Sequence, residues 1–258
     1  MVRFSNIVVF LLISVSAITS ASDDNNTDTS SYTFVIVHGA SGGGWDWKVV
    51  GNMLADNGHT VYRPTLTGLG EKYHLVNPDI NLTTHINDIV NVILFEDLKD
   101  VVLVGHSYGG MVITGVMDRI PERINHVTFL DAKVPADGMN MLGDQKIPET
   151  FKIVDGLVIF PWINEKAPFP RDVRQSLKTF TEPVSYKNAA AMTINATYIA
   201  FVPEGMTVEN RAKDPSWPLA EKRGWTMRVA NGDHVFYRKR PKEMSDLIEL
   251  SASDRNKK

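Results

Sequence analysis

Three residues far apart in the chain have the types that nucleophilic catalysis requires: Ser107, His234 and Asp131. A serine hydroxyl is a weak nucleophile at neutral pH and attacks a carbonyl only when a base takes its proton. His234, in Asn231-Gly232-Asp233-His234-Val235, follows the last predicted strand and is the candidate base. Where a serine stands on a strand-to-helix turn, the order along the chain is nucleophile, acid, base, which sets aside His38, His74 and His85 as preceding Ser107. Of the other histidines, His59 begins a strand, His126 lies inside one, and His106 is expected to point away on the turn. An acid must orient the imidazole and stabilise its charged form. Asp131 ends a strand beside that of the serine, whereas Glu204, Glu209 and Asp214 follow the next one. Pro203-Glu204-Gly205 offers no aspartate close to that strand end, so Asp131 is favoured. Asp214, before Pro215, suits a turn, and so does Asp233.

These residues need elements to position them. The apolar run Val101-Val102-Leu103-Val104 reads as a strand buried on both faces, and Met111, Val112, Gly115, Val116 and Ile120 recur at helical spacing. Between them, Gly105-His106-Ser107-Tyr108-Gly109 forms a nucleophile elbow. Its sharp, strained turn leaves no room for side chains at 105 and 109 and lifts the hydroxyl above a helix N-terminus. Attack on a carbonyl creates an oxyanion that needs donors already aimed at it. The expected donors are the backbone N–H of Tyr108 and that of Ala40, in the loop His38-Gly39-Ala40-Ser41-Gly42-Gly43-Gly44.

Further strands are predicted at 32–37, 59–64, 124–130, 197–202 and 225–229, with helices over 45–57, 84–95 and from Pro241 onward. Strands alternating with helices give an α/β fold, a mostly parallel, doubly wound sheet of about six strands, with function gathered at the carboxyl ends of the strands. Between about 135 and 195 the alternation breaks, with six prolines and the aromatics Phe151, Phe160, Trp162, Phe169, Phe180 and Tyr186. So many prolines make a poor independent core, and the segment is expected to be a small cap inserted over the sheet, its aromatics packing cap to core or shaping an apolar pocket. The domain is bounded at 32–250, with a polar tail at 251–258.

The leader, residues 1–21, runs from Met1-Val2-Arg3 through the apolar stretch Ile7–Ile13 to small residues. It has the form of a secretory signal peptide too short to span a membrane, which implies a secreted or periplasmic protein with a loose mature terminus at 22–31 and no stable membrane anchor. Asn25, Asn81 and Asn195 open acceptor sequons that would matter in a eukaryotic secretory route. The net charge of −3 argues against nucleic acid as a partner. There are no cysteines, which excludes disulfides, zinc–thiolate sites and a thiol nucleophile. No His/Asp/Glu group has convincing ligand spacing, so no metal or organic cofactor is expected.

His38-Gly39-Ala40 with Gly44-Trp45, the elbow, and Gly232-Asp233-His234 together resemble the α/β-hydrolase superfamily, more narrowly its branch of small serine esterases that includes plant methylesterases and hydroxynitrile lyases. The likeness runs from about Tyr32 to Leu250. It implies an α/β-hydrolase fold and hydrolysis of small hydrophobic carboxylic esters through an acyl-enzyme. Pro64–Glu71 and Leu130–Pro135 look most like bacterial-type members, which supports Asp131 as the acid. Lyases of this branch carry a threonine after the first loop's histidine and a lysine after the base. Gly39 and Val235 stand there instead, so cyanohydrin cleavage is disfavoured. The alternatives are a ligand-binding relative with little turnover, or a lactone or amide hydrolase or lyase using the same triad.

Overall fold

The computed structural model describes residues 31–143 and 145–254, so the leader at 1–21, the rest of the segment before Ser31 and the last four residues of the tail lie outside it. The first half of the chain builds β1 (Thr33–Val37), α1 (Lys48–Asp56), β2 (Thr60–Tyr62), α2 (Leu82–Phe95), β3 (Val101–His106), α3 (Gly109–Arg119) and β4 (Ile124–Leu130). Between 135 and 195 come β5 (Lys152–Val154), β6 (Leu157–Ile159), β7 (Gln175–Ser176), α4 (Lys178–Thr181) and α5 (Ala189–Met192). The chain then returns through β8 (Asn195–Val202), α6 (Val208–Arg211), α7 (Ser216–Lys222), β9 (Thr226–Asn231) and α8 (Pro241–Ser253).

Six strands form one sheet in the order β2-β1-β3-β4-β8-β9, every pair parallel. Alternation along β3 divides the core. Val102 and Val104 pack with Trp47, Val50 and Leu54 of the first helical segment and Met244 and Ile248 of α8. Val101 and Leu103 pack with Ile86 and Ile89 of α2 and Met111, Val112 and Val116 of α3. Both faces are thus covered, as a run of consecutive apolar residues in a parallel strand requires. The chain leaves β1 for the edge strand β2 and then crosses back to β3, which opens the crevice at the carboxyl ends of β1 and β3.

The cap segment makes its own antiparallel sheet, β5-β6-β7. Phe160 and Phe180 belong to the same buried cluster as α2 and α3, so the cap shares the core of the sheet rather than enclosing one of its own.

Helix α8 runs past the expected limit at Leu250. Ser251 is buried and shares a 2.8 Å hydrogen bond with Thr128 of β4, and Asp254 is buried against Arg228 of β9 at 2.8 Å. The residues of the expected tail that the structure describes therefore close the sheet's far end. Their polar side chains are paired across it, which hydropathy along the sequence does not reveal.

Candidate active site

Ser107 and Asp131 follow directly on the adjacent parallel strands β3 and β4, whose ends are in register at His106 and Leu130. Both adopt left-handed backbone, with φ of 55° at Ser107 and 44° at Asp131, a conformation that non-glycine residues hold only when their surroundings enforce it. The enforcement is a set of hydrogen bonds: Ser107 N–H donates to Leu130 O at 3.2 Å, Lys133 N–H to Ser107 O at 3.0 Å, and Asp131 N–H to Ile199 O at 2.8 Å. The elbow glycines are needed for space. A Cβ at Gly109 would lie 2.7 Å from Val37 O, and one at Gly105 would lie 2.6 Å from Ile113 Cδ1.

His234, in the loop after β9, joins the two. Its Nε2 is 2.9 Å from Ser107 Oγ and its Nδ1 is 2.6 Å from Asp131 Oδ2. With the aspartate ionised, Nδ1 carries the proton and donates it to Asp131, which leaves Nε2 to accept from the serine hydroxyl. Asp131 is itself fixed on its other oxygen. Oδ1 accepts from Phe201 N at 3.2 Å and from Arg211 Nε at 3.1 Å, with a second bond from the same guanidinium. Burial alone would raise the Asp131 carboxyl, but the bonds from His234 and the Arg211 charge outweigh it and hold the group below the usual carboxylate range.

The competing acids lie elsewhere. Asp214 accepts from Ser216 N at 2.8 Å and pairs with Arg211 at 3.1 Å, closing a turn. Glu204 and Glu209 are exposed on the turn after β8 and on α6. Asp233 accepts from Val235 N at 3.2 Å, as a turn residue does. At the expected anion site, Ala40 and Ser107 line one cavity, and among the described residues neither the Ala40 nor the Tyr108 amide donates to a carbonyl or side chain.

His106 departs from the expectation that it points away. Its ring is buried 4.6 Å from that of His234, and its Nε2–H donates to the His234 backbone oxygen at 2.9 Å. It ties the loop of His234 to the end of β3. Burial pushes its imidazole down to about 3, so it is a neutral prop rather than a second base. Period-two alternation places residue 106 on the same face as Val102 and Val104, towards the 234 loop, and that signal was legible. The Tyr108 side chain was also missed: it is fully buried, with its hydroxyl donating to His85 Nδ1 at 2.9 Å.

Two cavities meet at the serine, with Ser107, Met141 and His234 lining both. One, of about 440 Å³, has the cap aromatics Phe151, Phe160, Trp162 and Phe180 in its wall. The other, of about 660 Å³, is mixed, with Lys133, Gln145, Asn210 and Lys213 beside Phe201, Pro203 and Met206. Phe169 lies instead against Tyr73 in a tilted ring contact, and Tyr186 lies under Arg223. A carbonyl placed at the junction would meet a hydroxyl hydrogen-bonded to a base, a base held by a carboxylate, and backbone amides nearby. Such an arrangement can carry out acyl transfer.

The chain is similar to a carbendazim hydrolyzing esterase of Nocardioides sp., 50% identical over 109 residues that make up 42% of this chain and 45% of that protein. It is also similar to methylesterase 18 of Arabidopsis thaliana, 33% identical over 136 residues, 50% of this chain and 49% of the relative. The match thus spans about half the length of these curated relatives. Among solved structures, an extracellular α/β-hydrolase from a Paenibacillus species superposes with a TM-score of 0.69 at 23% identity, covering 85% of this chain and 98% of that one, which shows a shared fold. Residues 34–247 match the alpha/beta hydrolase family, and the chain belongs to it.

Proposed function

We propose that this protein hydrolyses carboxylic esters of small hydrophobic substrates through an acyl-enzyme on Ser107. The observation that carries the proposal is the continuous chain from Ser107 Oγ to His234 Nε2 at 2.9 Å and from His234 Nδ1 to Asp131 Oδ2 at 2.6 Å. In the first half-reaction Ser107 Oγ attacks the carbonyl carbon while His234 Nε2 takes its proton. The oxyanion accepts hydrogen bonds from the Tyr108 and Ala40 amides, and Asp131 stabilises the imidazolium. Collapse breaks the bond to the alkoxy oxygen, which leaves as the alcohol with the proton from His234. Water then gives a proton to His234 as it attacks the acyl carbon, and collapse breaks the bond to Ser107 Oγ, which takes that proton back from His234 as the acid leaves. The names of the two curated relatives, both esterases, support the reaction class. The aromatic cavity supports an apolar or aromatic substrate group.

Export is a further part of the proposal. It rests on the pattern of residues 1–21 and is tested by sequencing the N-terminus of the mature protein, expected near Ser22. Among the described residues no helix is long and apolar enough to cross a membrane.

The test of the reaction is turnover of a chromogenic short-acyl ester by the wild type, its loss in Ser107→Ala, and labelling by a fluorophosphonate confined to Ser107. Tight binding of a small aromatic ligand without Ser107-dependent turnover would instead identify a ligand-binding relative.

A further inference from the structure

The wall of the aromatic cavity contains two carboxylates, Asp46 and Asp172, and one cation, Arg238. Asp46 is saturated: it accepts from Arg238 Nε at 2.7 Å, from the second guanidinium nitrogen at 2.8 Å, and from the Tyr237 hydroxyl at 2.5 Å. Asp172 is not. Ser41 Oγ donates to its Oδ1 at 3.2 Å, and the nearest cation is Arg238 at 3.8 Å, already committed to Asp46. Among the described residues Asp172 Oδ2 accepts no hydrogen bond, while the side chain retains 18% exposure within the cavity lining.

Its position is fixed by the backbone around it. Ser41 N–H donates to Gln175 Oε1 at 2.9 Å, and Val173 N–H donates to Ser41 O at 2.9 Å, so the 172–175 segment is sewn to the loop that carries Ala40. The Trp162 indole N–H is occupied by Ser41 Oγ at 3.0 Å and so does not complete the carboxylate either. A largely buried carboxylate with a free lone pair beside aromatic walls is costly unless a donor reaches it. Burial accordingly pushes the Asp172 carboxyl above its usual range. Two carboxylates against one guanidinium leave the cluster with excess negative charge, which favours a donor and disfavours an anion.

We propose that the aromatic cavity selects flat aromatic esters that carry an N–H donor on the ring system, with Asp172 as its acceptor. The proposal rests on the reading of Ser107 as the nucleophile of an ester hydrolase. The aromatic side chains supply stacking for the ring. Asp172 distinguishes rings of the same shape by their hydrogen-bonding edge, since a ligand without the donor leaves the carboxylate desolvated and unpaired.

The test compares indole and benzofuran esters, which have nearly the same shape but present N–H or oxygen at one ring position. Both orientations are used: methyl esters of the carboxylic acids, and acetates of the hydroxy compounds. The expected result is a kcat/KM ratio of about ten or more for indole over benzofuran in at least one orientation, the worth of a charge-assisted hydrogen bond. In Asp172→Leu this ratio falls to near one, with Asp172→Asn between. Because the ratio is read within one protein, a general loss of activity cancels, and the wild-type ratio needs no variant. A wild-type ratio near one in both orientations, or a preference retained in Asp172→Leu, overturns the assignment of Asp172. Absence of Ser107-dependent turnover of either ester overturns instead the reading on which the assignment rests.

Discussion

At the scale of single residues, Asp131 is held from both sides. Its Oδ2 faces His234 and its Oδ1 faces Arg211 and the Phe201 amide. Asp131→Asn would keep the shape but favour the wrong imidazole tautomer, so kcat on a chromogenic ester is expected to fall by about 10² to 10⁴. Glu204→Gln and Asp214→Asn are expected to stay within about threefold. The reverse ranking would move the acid beyond β8. Arg211 is only 15% exposed as a side chain and Asp131 only 7%. Arg211→Gln therefore leaves a buried carboxylate short of its counter-charge, and urea unfolding is expected to show a loss of about 2 kcal/mol or more. That Ser107, His234 and Asp131 are candidates to act together was legible because chemistry restricts which residue types can act and strand ends restrict where, and the structure brings the three side chains together. The guanidinium behind the acid was not legible: Arg211 lies 80 positions from Asp131, and nothing local marks it as a partner.

At the scale of elements, the elbow works because β3, α3 and β1 approach too closely for side chains. Gly109→Ala would force Cβ against Val37 O, and a loss of about 2 kcal/mol or more with lower Ser107 labelling is expected, because β1 or α3 has to move. Helix α2 begins two residues earlier than periodicity indicates. Asn81 is its N-cap, with Oδ1 accepting from Thr84 N at 2.9 Å and the Thr84 hydroxyl reaching back to Asn81 N–H. Asn81→Ala is expected to cost about 1 kcal/mol in thermal or urea unfolding while leaving ester turnover intact. The start was missed because Asn81-Leu82-Thr83 reads equally well as a sequon, and only the backbone shows that the side chain caps. The cap strands β5 to β7 were also unassigned. They are two or three residues long, too short for alternation to show, and are held by pairing with one another.

At the scale of the whole molecule, four histidines from different elements are buried as neutral rings. Burial lowers His38 and His126 to about 4, and His85 and His106 to about 3, from an ordinary 6.5. In His38 and His85 one ring nitrogen accepts a hydrogen bond, as only the neutral form can: His38 Nε2 accepts from Leu66 N at 3.1 Å while its Nδ1 donates to Gly39 O at 2.8 Å, and His85 Nδ1 accepts from the Tyr108 hydroxyl. Because the folded values lie below the unfolded one, the unfolded chain binds more protons between pH 6.5 and about 4, and stability falls as pH falls through that window. The effect is about 2 kcal/mol per ring at pH 5, and calorimetry at that pH is expected to record uptake of about four protons by these rings on unfolding. His126→Gln should remove about one of them. An unfolding enthalpy independent of buffer ionisation heat would refute this account. The α/β layering and the elbow were already decided by the sequence, because apolar periodicity and glycine placement act over a few residues and report local conformation directly. The junction of two unlike cavities at Ser107, the Arg211 brace, the neutral His106 prop and the half-paired Asp172 were decided only by tertiary structure. Each depends on distances between groups tens of residues apart, which hydrogen bonding and burial set after the sheet has assembled.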